Sequence, residues 1–474
     1  MLRYLAALLL PLTALAAEKP NVIIINIDDL GYGDIGPYGS KTNATPNLDR
    51  MAAEGRRVTN YYAAPVCSPS RASLMTGCYP KRVLPTPHVL FPAGAVGLNP
   101  DEITIAEVLK SAGYATACIG KWHLGDQPGF LPNDQGFDYY YGLPYSNDMG
   151  TVEDGAKSNP GEPIRPRPAQ AKAQPRDEAG LRGTDQPPLP LLENHTVIER
   201  VKQGGQTSIA RRYTEKAEAF IRQHRDGPFF LYLPHTAVHF PLYPGMKWRG
   251  TSKNGLTGDW TQEVDWSVGR VLDTVRELGL EKNTFILFTS DNGGTKVGFN
   301  TPLRGHKGST WEGGMRVCTI AWWPGKIPAG TETRAITGML DMLPTIAEIA
   351  GVQPPQDRKL DGVSVLSALT GDAQPRDTMH YFRGPNLEAV RQGPWKLHLK
   401  SGELYNLDSD IGEASNVAAQ HADVVARLRS LAKAMNDELG DGEFGPGCRP
   451  LGRVDDPQPL ISLDGKIRPG FEPQ

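Results

Sequence analysis

The sequence has no surplus of positive charge: 50 Lys and Arg stand against 53 Asp and Glu, a formal net charge of -3. Nothing there neutralises a phosphate backbone or holds an anionic membrane surface, and no run of like charge forms a local patch, so nucleic acid is excluded as a partner. Long apolar runs are missing too. The first 17 residues carry Arg3, an apolar stretch over 5–15 and the small residues Ala14, Ala16 and Ala17. That stretch is short of the roughly 20 residues a membrane-spanning helix needs, so it reads as a cleaved signal peptide, not an anchor. The leader is not followed by a cysteine, which gives lipid attachment no foothold there. The expected destination is periplasmic or extracellular, or lysosomal in a eukaryotic host. Cysteine is scarce, with five in 474 residues: Cys67, Cys78, Cys118, Cys318 and Cys448. Five is odd for an oxidising compartment, so one thiol needs another fate, and the other four allow zero, one or two disulfides.

What is present is enough apolar material for a large core, 39% of the chain, at a length that suggests two unequal domains. Short apolar runs at 22–27, 115–119, 229–233, 285–289 and 317–323 read as buried strands. Between them, 104–112, 209–224 and 260–278 carry apolar residues three and four apart; in the last, Val264, Val268, Val271, Val275 and Leu278 form one stripe. The alternation predicts an α/β fold, a mostly parallel sheet sandwiched by helices. Residues 153–192, rich in Pro, Gly, Arg and Lys, read as a surface insertion, either inert or a wall over a pocket. A Pro-rich stretch near 351–360 marks a boundary between a main domain, 18–355, and a smaller C-terminal unit, 356–474. That unit is expected to be an antiparallel sheet with a helix over 422–439 and an extended tail.

Chemistry concentrates at strand ends. Asp28 and Asp29 directly follow the first apolar run, and Asp291 and Asn292 directly follow the fourth. In an open parallel sheet such positions converge on the ligand crevice. Four oxygen donors meeting there suit a hard cation, Ca²⁺ or Mg²⁺, better than zinc, although each pair also fits a helix or turn cap. Cys67 opens the segment Cys67-Ser68-Pro69-Ser70-Arg71. Pro69 fits the first turn of a helix, which puts Cys67 at a helix amino terminus where backbone N–H groups and the dipole favour an anion. Taken alone, such a cysteine equally fits a structural thiol.

This segment, with its Leu74-Met75-Thr76-Gly77 ending, resembles the sulfatase signature, and Gly113 to His123, ending in Gly-Lys121-Trp-His123, resembles the second one. The resemblance runs from IIINIDDLGYGDIGPYG to ELYNLDSDIGEASNVA and is nearest the arylsulfatase A and N-acetylgalactosamine-6-sulfatase branch. It implies an alkaline phosphatase-like fold and a nucleophile made when a separate formylglycine-generating enzyme oxidises Cys67. It further implies Asp28, Asp29, Asp291 and Asn292 as calcium ligands completed by modified Cys67, with Arg71 holding the formylglycine hydrate. Lys121, His123, Ser146, His239 and Lys307 match the remaining sulfate-site positions. On this resemblance His123 assists release of sulfate, while His239, with Lys307, serves the departing alcohol. His235 has no family match and reads as a bystander. One departure is visible: Arg316 is followed by Val317 and Cys318 where the family often has Arg-Glu-Pro.

The resemblance implies hydrolysis of a sulfate ester on a glycan, with aryl sulfates as surrogates. Two rivals stand beside it: a phosphoester or phosphonate hydrolase of the same superfamily, and a glycan-binding relative without turnover. Cys67 in its full signature argues against the first, and the complete set of polar groups against the second. Asn43-Ala44-Thr45 and Asn194-His195-Thr196 are sequons for a glycosylating host.

Overall fold

The protein is described here by a computed structural model covering residues 19–86, 89–163, 177–183 and 186–473. The leader and the middle of the Pro-rich insertion lie outside the described residues.

The first apolar run becomes the strand Asn21–Ile27, seven residues all buried, at the heart of a ten-stranded sheet. Thr284–Ser290 pairs with it in parallel on one side and Phe229–Pro234 on the other; Ala115–Ile119 and Tyr139–Gly142 extend the parallel block. Beyond that block the sheet turns antiparallel, through Ile320–Trp322 at one end and Pro190–Glu193 with Thr196–Arg200 at the other. Strands covered on both faces need apolar side chains on both, which is why the central runs are continuous rather than alternating. Ile23, Ile25 and Ile27 pack against the helices Gln203–Gln223 and Gly255–Glu277, where Val264, Val268, Val271 and Val275 are fully buried. Val22 and Ile24 face the other layer, built from Cys67–Thr76, Ile105–Ser111 and Met342–Ile349. Thr104 caps its helix through a reciprocal pair with Glu107.

Two sequence expectations need correction. The run 317–323 is not one strand. Arg316–Val317 pairs with Tyr61–Tyr62, while Ile320–Trp322 joins the large sheet. The break falls at Thr319, whose carbonyl accepts hydrogen bonds from Tyr38 Oη at 2.6 Å and Val58 N at 2.9 Å. The insertion also ends sooner than 192, because Pro190–Glu193 is a strand. Leu189, Leu191 and Leu192 are fully buried, and that burial outweighs the loop-like composition before them.

The C-terminal region forms a four-stranded antiparallel sheet, Thr378–Arg383, Asn386–Gln392, Trp395–His398 and Leu404–Asn406. The helix Ala422–Leu439 covers it, and their core also takes in Tyr62, Met315 and Leu340 from the larger part. The tail packs back on the larger part: Gly452–Arg453 pairs with Val96–Gly97 in a small two-stranded sheet, and Phe471 O accepts from Val197 N at the edge of the main sheet. All five cysteines are free thiols in this structure.

Candidate active site

The parallel register sets Ile27 beside Ser290, so the residues that leave these two strands start side by side. Asp29 adopts a left-handed backbone, φ 63°, which a non-glycine residue rarely takes and which is a recurrent feature of functional sites. Its N–H donates to Asp291 Oδ1 at 3.3 Å and its Oδ1 accepts from Asn292 Nδ2 at 2.7 Å. Asn292 Oδ1 is buried without a hydrogen-bond partner.

Cys67 is the first residue of the wholly buried helix Cys67–Thr76, and no side chain caps that end. Its Sγ lies 3.3 Å from Asp28 Oδ1 and 3.6 Å from Lys307 Nζ. One helical turn on, Arg71 projects from the same face. Arg71 Nε and Nη2 donate to Asp291 Oδ2 at 3.0 and 2.8 Å, and Nη2 reaches Asp28 Oδ2 at 3.5 Å.

Lys121 and His123 leave the end of Ala115–Ile119 through Gly120. At φ 139°, a Cβ on Gly120 would lie 1.9 Å from Pro234 O, so only glycine lets the two strand ends approach this closely. Lys121 Nζ pairs with Asp28 and donates to Ser146 Oγ at 3.2 Å. Ser146 Oγ is in turn 3.2 Å from His239 Nδ1, and His239 Nε2 is 3.7 Å from Asp29 Oδ2. Lys307 Nζ closes the ring 2.6 Å from Asp29 Oδ1. His123 is the member with no direct bond to the others: its Nε2 is held by Leu90 O at 2.9 Å, and its buried Nδ1 has no partner. Its backbone is left-handed as well, φ 65°.

The electrostatics follow from burial against pairing. Burial opposes ionisation of Asp28, but Lys121, His239, Arg71 and Lys307 together hold its carboxyl below the usual range. Asp291 moves up, through burial and the charge on Asp28. Burial pushes the Cys67 thiol far up, and Asp28 and Asp291 add to it, so the unmodified side chain stays protonated. Burial works against the charge on Lys121 and Lys307, yet Asp28 and Asp29 respectively keep both ammonium groups charged. Burial, reinforced by Lys121 and Arg71, holds His123 neutral.

All eleven residues singled out in the sequence are thus in or beside one cluster. Ligand atoms of Asp28, Asp29, Cys67 and His239 lie within 4.8 Å of one another. The three carboxylates and the unpartnered Asn292 amide oxygen are an all-oxygen donor set that fits a hard divalent cation. Sequence reasoning missed Asp148, whose Oδ1 is 4.0 Å from His239 Nδ1. Its only signal was its place two residues after Ser146. His235 Nε2 bonds Ser267 Oγ at 3.0 Å, away from the cluster.

Lysines, an arginine and a histidine ringed around one buried point at the carboxyl edge of a parallel sheet suit an ester of a tetrahedral oxyanion, and the class is a hydrolase of such esters. Comparisons with known proteins give the anion. Residues 20–352 match the family described as Sulfatase, and residues 306–438 match the C-terminal region described as N-sulphoglucosamine sulphohydrolase. The N-acetylgalactosamine-6-sulfatase of Canis lupus familiaris is 38% identical over 430 residues, covering 85% of this chain and 77% of that protein. Arylsulfatase A of Bos taurus is 39% identical over 399 residues, covering 81% and 75%. Among solved structures, Ps i-CgsB in complex with k-i-k-neocarrahexaose superposes with a TM-score of 0.75 at 29% identity, covering 92% of this chain and 96% of that one. The chain belongs to the sulfatase family, and it is a sulfuric ester hydrolase.

Proposed function

We propose that the enzyme removes sulfate from a sulfated carbohydrate, using a formylglycine made from Cys67 and a calcium ion held by Asp28, Asp29, Asp291 and Asn292. The observation that carries this is the position of Cys67 at a buried helix amino terminus, between Asp28 at 3.3 Å and the Lys307 ammonium at 3.6 Å. A nucleophile there meets a sulfate whose oxygens face cations. Calcium, when bound, would add positive charge at the sulfate oxygens.

The chain's own groups divide the remaining work. Lys121 and Lys307 neutralise the peripheral oxygens that otherwise repel a nucleophile. Arg71, locked on Asp291, orients the hydrated side chain at position 67. One hydroxyl of that hydrate attacks sulfur, and the sulfur–oxygen bond to the alcohol breaks; the other hydroxyl later loses its proton, so that the carbon–oxygen bond to the sulfate breaks, sulfate leaves and the aldehyde is restored. His123, neutral and with Nδ1 free, is suited to take that proton. His239, on the solvent side of Asp29 and next to Ser146, delivers a proton to the departing alcohol.

A carbohydrate substrate is supported by the similarity to Ps i-CgsB, whose structure holds neocarrahexaose, and to N-acetylgalactosamine-6-sulfatase. The insertion contributes to the pocket wall. Its first part is fastened to the His239 loop, with Tyr243 Oη donating to Gly155 O and Ser158 O at 3.1 Å each. Its far part meets the segment that holds His123, through Phe91 N to Ala179 O at 2.7 Å. The division at residue 355 into catalytic and C-terminal units belongs to the same reading. So does export.

The test is sulfate release, read by ion chromatography, from a panel of sulfated mono- and oligosaccharides by protein made with and without a formylglycine-generating enzyme. Release that depends on the converting enzyme supports the reading. Equal release without it, or hydrolysis of phosphonates in preference, overturns it.

A further inference from the structure

Lys307 does not sit on a strand or helix; it sits on a loop, and that loop is gripped from two sides. From the main sheet side, Lys307 N donates to Gly294 O at 3.0 Å and Gly308 N to Pro65 O at 2.8 Å. From the C-terminal sheet, Lys396 on Trp395–His398 extends a fully buried ammonium to Thr310 O at 2.8 Å and to Glu312 Oε1 at 2.9 Å. Its third partner is Glu413 Oε1 at 2.9 Å, and Glu413 Oε2 accepts from Glu312 N at 2.8 Å. Arg304, at the other end of the loop, donates to Glu413 O at 2.8 Å and lies over the Trp311 ring at 3.7 Å.

We propose that Lys396 is a positioning residue for Lys307: through Thr310 and Glu312 it fixes the loop that aims the Lys307 ammonium at the sulfate. This rests on the reading of Lys307 as a sulfate-binding group. Three observations favour it over a purely structural ion pair. A fully buried lysine is costly unless its charge is met, and here two hydrogen bonds and an ion pair all go to the loop or to the acid that caps it. Glu413 holds its place with a left-handed backbone, φ 51°, a strain tolerated where the surroundings dictate it. Glu312 keeps its charge despite burial, with a pKa of about 2, because Lys396, Arg316 and Arg391 surround it.

The test is a double-mutant cycle on the mature enzyme, Lys307→Ala and Lys396→Met singly and together, reading kcat and KM on an aryl sulfate. Hydrogen exchange of peptides covering 304–313 and the melting temperature are read alongside. Lys396→Met is expected to lower kcat/KM by about 10- to 100-fold, the scale of a misplaced catalytic group. It is expected to quicken exchange within 304–313, which the exposed control Lys433→Ala does not. In the Lys307→Ala background Lys396→Met is expected to cost little more. Multiplicative losses, or unchanged exchange in 304–313, overturn the proposal. If Lys396→Met unfolds, Lys396→Met with Glu413→Gln removes one charge of each sign and reads the same contact. An enzyme inactive on every sulfate ester, with faster exchange in Lys396→Met, would defeat the functional reading while leaving the grip on the loop demonstrated.

Discussion

Arg71 Nη2 lies 2.8 Å from Asp291 Oδ2, with both side chains closed to solvent. The pair ties the Cys67 helix to the end of Thr284–Ser290, so the proposed nucleophile and the proposed cation site share one rigid joint. Replacing Arg71 by Met leaves Asp291 buried without its closest counter-charge. A loss of about 3–5 kcal/mol in stability is expected, together with a collapse of activity. Chemical denaturation and kcat/KM measured on the same preparation check this; a stable, active variant would show that the pair is dispensable.

In the proposed mechanism His239 serves the leaving alcohol. His239→Ala is therefore expected to lose roughly 10²–10⁴-fold in kcat on sugar sulfates and markedly less on 4-nitrophenyl sulfate, whose phenolate leaves without a proton. Equal losses on both substrates would remove His239 from that role.

The carboxylates Asp28, Asp29 and Asp291 crowd like charges beside the Asn292 amide oxygen, and a cation relieves them. Removing metal with a chelator is expected to lower the melting temperature, and calcium to restore it. At a hundredfold excess over Kd the gain is about 3 kcal/mol. Asp291→Asn is expected to blunt that calcium response. A melting temperature indifferent to both chelator and calcium would remove the ion from the site.

Glu263 offers a pH test away from the catalytic cluster. Burial lifts its pKa from 4.5 to about 7, against a 2.8 Å hydrogen bond from Gly245 N. The folded state therefore holds this proton more tightly than the unfolded chain does. Its contribution is complete below about pH 4.5 and is lost as pH rises to about 7, a fall of roughly 3 kcal/mol. Glu263→Gln, neutral throughout, is expected to flatten the stability profile between pH 5 and 7; an unchanged slope would assign the dependence to other groups.

How much of this was legible in the sequence differs by element. Asp28, Asp29, Asp291 and Asn292 were legible because each pair directly follows an apolar strand, and strand ends in a parallel sheet converge. Ser146, His239 and Lys307 lie on loops, which have no periodicity; family resemblance alone marked them. The run 317–323 hid its break at Thr319 because the interruption is made by bonds from Tyr38 and Val58, far away in sequence. Lys396 and Glu413 were invisible for the same reason: a polar residue that closes a contact across some 80 to 100 positions looks, in sequence, like any surface charge.

The chemical state of residue 67 is read by mass spectrometry of the tryptic peptide spanning 58–71, from protein co-expressed with a formylglycine-generating enzyme. The expected result is an aldehyde at position 67, captured by a hydrazide reagent and absent from the Cys67→Ala protein. A Cys67 that remains a thiol, or enters a disulfide, in protein that still releases sulfate would contradict it.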